Sequence, residues 1–320
     1  MAIVAGIDEA GFGPLLGPLV VSGVAFRVPD ARVNDCLWET LAETCSRETS
    51  RGERRMAIAD SKKLFRGRGS LVPLERAALV MLAVSGKHPQ TWRELIHSVA
   101  PHASDQLESY PWYCASDAAI PLERDVGDVG TRANAVRRNG REQGVDLIGV
   151  FCEPLAEGHY NRLVAGTRNK AVALLGLALR VLGRVLRCGE DRLVRIGVDR
   201  LGGRMHYRDA LATAFPGYEL RIVEENQTCS AYRLADGSRV IRVEFAVGGE
   251  QRHFAVALAS VYSKYLRELF MHVFNGYWSG QQPGLEPTAG YYTDAQRWLK
   301  DAAPSLRRLN VKTDLLVRRQ

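Results

Sequence analysis

Residues 146–199 set the strongest limit on what this chain can fold into. "DLIGVFCEP" (146–154) is a short apolar run of strand character, and "RLVRIGVD" (192–199) is a second one that stops at Asp199. Between them, "NKAVALLGLALRVLGRVLR" (169–187) repeats apolar residues at three- and four-residue spacing. That spacing predicts an amphipathic helix with Val172, Leu175, Leu179, Leu182 and Leu186 on its buried face, ended by Gly189. Strand, helix and strand in succession are the signature of α/β architecture.

The flanking sequence extends the pattern. Residues 2–7 and "PLVVSGVAFRV" (18–28) read as neighbouring strands, joined by a Gly/Pro-rich turn. Residues 31–45 read as a helix, "SRETSRGERR" (46–55) as a polar loop, and "LVPLERAALVMLAVSG" (71–86) as a helix with some strand character. Residues 98–143 mix Pro, Gly, Asp and Arg and end in the basic "RANAVRRNGREQG", which suggests an insertion or long functional loop. "YELRIVEE" (218–225) is a strand candidate. "AYRLADGSRVIRVEFAVG" (231–248) places Asp-Gly between alternating runs, a hairpin signal. "AVALASVYSKYLRELFMHVF" (255–274) is the next helix.

Composition narrows the class of partner. A hydrophobic fraction of 46% and a charged fraction of 25% are those of an ordinary globular protein. A length of 320 residues suits roughly two domains or one large α/β domain with an appendage. Net charge is +7 and the isoelectric point about 9.2, which favours a polyanion such as nucleic acid. Six cysteines without a CxxC pair point to free thiols in a reducing compartment rather than to a zinc site. Acidic residues stand too early for a signal peptide, and no charge-free apolar run reaches about 18 residues, so a cytoplasmic protein without a membrane partner is expected.

Acids stand where strands end or helices begin: Asp8 and Glu9 after the first apolar run, Asp199 after the second, and Glu250 before the helix at 255. Taken singly, each is equally a surface or capping residue, and Glu250 could simply cap its helix. Taken together at one sheet edge, they would repel unless divalent cations neutralised them. An all-oxygen donor set suits Mg²⁺ or Mn²⁺. Two such ions about 3.5–4 Å apart are the usual clamp for in-line attack on a phosphodiester. On a regular strand Asp8 and Glu9 face opposite sides, so both reach one site only if the strand breaks there; Gly11, Gly13 and Pro14 are the expected break. Glu224 and Glu225 are rival acids, and His206 and His253 lie close in sequence as structural or phosphate-facing residues.

"GIDEAGFGPLLGPLVVSGV" (6–24), "DSKKL" (60–64), "GVDRLGG" (197–203), "GGEQRHFAVALASVYSKYLRE" (248–268) and "GYYT" (290–293) occur in an order that resembles type 2 ribonucleases H, the ribonuclease HII and HIII family, over about residues 3–300. The resemblance implies a ribonuclease H-like fold, a central mixed β-sheet flanked by helices, with a small C-terminal helical extension. It implies a catalytic domain at 1–275, with the insertion at about 98–143 and the hairpin at about 230–249, and a substrate-binding subdomain at 276–320. The implied activity is two-metal-ion hydrolysis of the RNA strand of RNA/DNA hybrids by a monomer, leaving 3′-hydroxyl and 5′-phosphate ends. Asp8, Glu9, Asp199 and Glu250 would be catalytic and hold the metals. Gly11, Phe12, Gly13, Ser61, Lys62, Lys63, Lys264 and Tyr291 would meet the substrate. The ribonuclease HII branch carries Gly-Arg-Gly after the acidic pair; here Phe12 replaces the arginine and brings no charge. A glutamate as fourth acid is closer to ribonuclease HIII, as is "YNRLVAGTRNKAVALL" (160–175). A hybrid-binding protein that keeps the fold without cutting, and a nuclease for other nucleic-acid structures, are the alternatives.

Overall fold

The computed structural model describes residues 1–48, 53, 55–65 and 69–319. Seven strands form one sheet: β1 (Ala2–Ala10), β2 (Leu19–Val28), β3 (Asp146–Leu155), β4 (Leu193–Asp199), β5 (Glu219–Glu225), β6 (Cys229–Ala235) and β7 (Val240–Ala246). Their order across the sheet is β3-β2-β1-β4-β7-β6-β5. β1, β2 and β3 are antiparallel neighbours, whereas β1, β4 and β7 run parallel. β3 and β4 therefore point the same way with two strands between them, and the chain crosses from one to the other through helices Glu157–Thr167 and Lys170–Arg187. The result is the mixed sheet flanked by helices that the sequence predicts.

Strand alternation separates the two faces. Ile3, Ala5 and Ile7 of β1, with Leu19, Val21 and Ala25 of β2, pack with Leu174, Leu177, Val181 and Val185 of the crossover helix. Val20, Val24 and Phe26 face the other way, into a larger core built on helices Val72–Val84 and Phe254–Gln281. Period-two patterning on strands buried on both sides gives each face its own apolar set. Gly6 lies where the long Phe254–Gln281 helix begins. A Cβ there would stand 2.1 Å from the backbone of Ala255 and Val256, so only glycine lets the helix rest on β1 two residues before Asp8.

The structure departs from the sequence expectations in several places. β1 does not break at the acidic pair: it stays paired with β2 through Asp8–Ser22, Glu9–Val21 and Ala10–Val20. On the crossover helix, Leu175, Leu182 and Leu186 are buried as expected, but Val172 is 38% exposed, Leu179 is half-buried, and the buried face widens to include Leu174, Leu177, Ala178, Val181 and Val185. Apolar residues cover more than one face of that helix, and the packing is settled by Val181, which fills the space over Gly23. Residues 31–45 form only a turn at Asp30–Arg32 and a short helix at Leu37–Thr40, because Trp38 is tied by its indole N–H to Ile58 O (2.8 Å) and the chain then turns extended.

Residues 98–143, expected as an insertion or loop, contain the helix Val129–Gln143 and bury Tyr110, Trp112 and Tyr113 completely. Trp112 and Tyr113 pack edge-on against Phe274 and Phe270 of the long helix, with Tyr110 against both of them, so the segment is part of the main core. The long helix runs without interruption through residue 275, and Trp298 from the following helix, Tyr292–Arg308, packs on its Phe274 and Trp278. β6 and β7 form the hairpin expected around Asp236-Gly237. Of the polar loop at 46–55, residues 49–52 and 54 lie outside the described residues.

Candidate active site

Parallel pairing of β1 with β4 ends at Ile7–Val198, one residue short of Asp8, while β4 continues beside β7 to Asp199–Ala246. Beyond Ile7, β1 is therefore free on its β4 side. Asp8 lies on the face of the long helix and Glu9 on the face of the crossover helix, and at this open end both carboxylates reach the sheet edge. Carboxylate oxygens of Asp8, Glu9 and Asp199 lie within 4.8 Å of one another. Asp8 bends back, its Oδ1 accepting from the Glu9 N–H at 2.8 Å, and its carbonyl is held by Ser263 Oγ at 2.9 Å. The convergence comes from where the sheet ends rather than from a broken strand.

Glu250 arrives from the short helix Gly249–Arg252 that follows β7. The Gly249 N–H donates to Asp199 Oδ1 at 2.8 Å, which sets Glu250, the next residue, beside Asp199. Three of the four acids thus form one cluster, and Glu250 borders it through Asp199. Burial, then the charges of Glu9 and Asp199, push Asp8 well above the usual carboxylate range. Burial and the Asp199 charge raise Glu9 to about 7, and the same two causes raise Glu250 to about 7. Glu9 Oε2 and Glu250 Oε2 are buried with no hydrogen-bond partner among the described residues. Clustered carboxylates with orphaned oxygens are costly in isolation and are relieved by a cation. The donor set is all oxygen, which suits Mg²⁺ or Mn²⁺, so these residues fit a divalent metal.

The remaining candidates divide into two groups. Ser61 opens a short helix, Ser61–Leu64, and accepts at 3.0 Å from the hydroxyl of Ser260, which also reaches Asp8. Lys62 and Lys63 are exposed, and the Lys62 charge opposes the rise of Glu9. Gly11, Phe12 and Gly13 form the turn immediately after the acidic pair, with Gly11 at φ +86°, a conformation that favours glycine. Lys170 Nζ lies 5.3 Å from the Phe12 ring, so a cation stands beside the position where sequence offers none. Tyr291 is 52% exposed, and Gly290 O accepts from Leu15 N–H and Leu16 N–H, so the Tyr291 turn is stitched to the turn after the acids. Lys264 stands apart from these groups: its ammonium pairs with Glu268 and sits 5.2 Å from the Phe65 ring.

The rival groups are engaged elsewhere. Glu225 accepts from the Tyr232 hydroxyl and pairs with His206 at 3.0 Å, and His253 faces Glu244 at 3.5 Å. Asp60 was not singled out by the sequence. It caps the Ser61–Leu64 helix, accepting from Lys62 N–H at 2.9 Å, and its charge acts on Glu250. Its only sequence signal is its place as an N-cap before "SKKL". Arg267 and Arg318 are both buried beside the turn, and no local pattern in the sequence marks either of them.

No protein-family model matches the chain, and no curated protein matches it. Among solved structures it resembles the ribonuclease HII of Archaeoglobus fulgidus in its complex with PCNA, at 16% identity and a TM-score of 0.47 over 99% of this chain and 94% of that one. It resembles the ribonuclease H2 of Pyrococcus horikoshii OT3 at 13% identity and a TM-score of 0.47, over 98% and 92% of the two chains. It also resembles Bst-RNase HIII in complex with Mn²⁺ at 14% identity and a TM-score of 0.43, over 99% of this chain and 66% of that one. At such identities and scores, the geometry of the site rather than the likeness carries the functional reading.

Proposed function

We propose that this chain is a divergent type 2 ribonuclease H, a divalent-metal-dependent endonuclease that hydrolyses the RNA strand of RNA/DNA hybrids and leaves 3′-hydroxyl and 5′-phosphate ends. The observation that carries the reading is the meeting of the Asp8, Glu9 and Asp199 carboxylates at one sheet edge, with Glu250 on the adjoining helix and buried oxygens on Glu9 and Glu250 that no described residue satisfies. Divalent ions held there supply Lewis-acid polarisation of a phosphodiester and stabilise its leaving oxygen.

The chain's own groups do the rest. Asp8, Glu9, Asp199 and Glu250 hold the ions, and the Ser61–Ser260 pair orients the Asp8 carboxylate. Lys62 and Lys63 contribute salt-sensitive affinity for backbone phosphates beside the acids. The exposed ring of Tyr291, within the 276–320 substrate-binding part, offers a surface against a sugar. The turn at Gly11–Gly13 presents backbone to the strand being cut.

The reading is tested by incubating labelled RNA/DNA hybrid, DNA carrying one ribonucleotide, and all-DNA duplex with Mg²⁺ or Mn²⁺. Wild type and Asp8→Asn are run side by side. Metal-dependent cutting of the hybrid but not of all-DNA, lost in Asp8→Asn, is the expected result. Absence of cutting on every duplex, or cutting of all-DNA at an equal rate, overturns it.

A further inference from the structure

Beyond β2 from the acids, an open groove of about 940 Å³ runs between the crossover helix Lys170–Arg187, the helix Glu157–Thr167 and the end of β3. Strand register places it. Glu9 stands opposite Val21 and Val21 opposite Glu153, so Glu153, at the groove, is two strand spacings or roughly 10 Å from Glu9. The volume is that of a site for one small organic molecule. Its bottom is apolar: Leu155, Leu179 and Phe215 line it, with Leu163 38% exposed. Gly176 and Gly183, seven residues apart and so on one face of the crossover helix, keep it open. Each glycine inside a helix costs about 0.5–1 kcal/mol relative to alanine. A Cβ at Gly176 would meet nothing within 4 Å, and one at Gly183 only the flexible end of Arg187 and the Phe215 ring, so packing within the chain asks for neither.

The rim is cationic. Arg180, Arg184 and Arg187 come from the crossover helix and Arg162 from the helix beside it. Glu153 is the one acid that lines the groove among the described residues, and it is already engaged. Buried, it accepts from Arg184 Nη1 at 3.2 Å, and Arg180 Nε and His102 Nε2 lie 3.5 and 2.9 Å from it. It therefore fixes two guanidiniums in place while cancelling one of the four arginine charges. Arg162 and Arg187 are exposed and make no ion pair among the described residues. A row of arginines on a convex helix is an ordinary solvated face, but these converge from two helices on a concavity. Like charges gathered there are relieved by an anion, and the planar guanidinium fork matches phosphate oxygens two at a time.

We propose that this groove is a binding site for a nucleoside polyphosphate, with the phosphates among Arg162, Arg180, Arg184 and Arg187 and the flat heterocycle on the apolar bottom beside Phe215. The apolar bottom favours a ligand with a ring over a bare anion, and the single-molecule volume favours a free nucleotide over a polymer. The site is separate from the acid cluster and does not depend on the nuclease reading.

The test titrates the full-length protein by calorimetry with ATP, GTP, inorganic tripolyphosphate and adenosine, in EDTA so that no metal draws phosphate to the acids. Wild type should bind ATP or GTP saturably at one site per chain, tripolyphosphate about tenfold more weakly, and adenosine not measurably. Arg162→Ala and Arg187→Ala, which leave Glu153 and its partners intact, should each weaken the nucleotide about tenfold and together about a hundredfold, one charge-assisted contact apiece, with the melting temperature retained. Arg138→Ala, exposed and outside the groove, should change nothing. No saturable heat from either nucleotide at millimolar concentration overturns the proposal. So does tripolyphosphate binding as tightly as the nucleotides, or a double variant with unchanged affinity. A short RNA/DNA hybrid and an amphipathic Leu/Glu peptide are titrated in the same buffer. If no nucleotide binds and either of these loses affinity in the double variant, the groove is a macromolecular surface and the proposal falls. Nothing is cut in these titrations, so a failed nuclease reading leaves them standing, and their failure leaves Asp8-dependent cleavage untouched.

Discussion

Glu75 and the acids around Asp8 are carboxylates withdrawn from water in opposite ways. Glu75 is 0% exposed, and three neutral donors close it: Leu122 N–H (2.8 Å), Glu123 N–H (2.9 Å) and the Tyr265 hydroxyl (2.8 Å). They come from two other segments, so the carboxylate works as a rivet between the Val72–Val84 helix, the 120s loop and the long helix. Around Asp8 the partners are other carboxylates, and Glu9 Oε2 and Glu250 Oε2 are left without donors. Buried polar groups are ordinarily satisfied, and the exceptions ask for an explanation. In Glu75 the protein completes its own chemistry; at Asp8 the chain supplies no donor that does so for Glu9 Oε2 and Glu250 Oε2 among the described residues.

That contrast can be broken most forcefully by Asp8→Asn. Hybrid cleavage should fall by a factor on the order of 10²–10³ or more, as when a group that organises transition-state charge is lost, while the metal-free protein melts no lower because a like charge has gone. A rate loss accompanied by a lower melting temperature would put Asp8 in the same class as Glu75. Glu75→Ala should show the reverse behaviour. It strands two backbone N–H groups and a tyrosine hydroxyl, at a cost of about 3 kcal/mol in denaturant unfolding, with activity per folded molecule retained.

Metal and pH sharpen the comparison further. Glu9 and Glu250 are raised to about 7 from the ordinary 4.5, so between those values the folded protein holds protons that the unfolded chain releases. Metal-free stability should therefore fall as pH rises from about 4.5 to about 7, with the penalty absent below that window and complete above it. Mg²⁺ or Mn²⁺ should flatten the slope and stabilise by about 2.7 kcal/mol at a hundredfold excess over its dissociation constant. Glu157, raised to about 7 by burial, keeps a residual slope that metal does not remove. Thermal melts across this range with EDTA or metal give both curves. The smallest effect is expected at His206, whose ring is 72% exposed and pairs with Glu225 away from the cluster. His206→Ala should change stability by about 0–1 kcal/mol, and hybrid cleavage rates should stay within error of wild type.

The acids were legible because each ends or follows a strand, and strand ends at one edge are where open α/β sheets place their sites. Their route to convergence was not legible, since it depends on β4 pairing stopping at Ile7 while β2 pairing goes on to Ala10. Period-two and helical spacing identified the strands, the crossover helix and three of its buried residues, Leu175, Leu182 and Leu186, but the wider face reaching Val181 follows from the fit over Gly23, a contact between distant residues. Tyr110, Trp112 and Tyr113 follow no period, so their segment read as a loop although its rings fill the core against Phe270 and Phe274. Asp60 was hidden as an ordinary helix cap, and Arg318 as one of several terminal arginines. No local pattern links Arg318 to a turn 306 residues earlier.

That last separation has a consequence for the life of the protein. The turn after β1 rests on a residue 306 positions later in the chain, and closing so long a loop is among the slower kinds of contact to form. A chain still emerging from the ribosome can build β1 and carry its acidic pair without having the floor beneath the turn. The floor beneath the turn is therefore complete only once Arg318 has been made and has folded back onto Gly11 and Phe12.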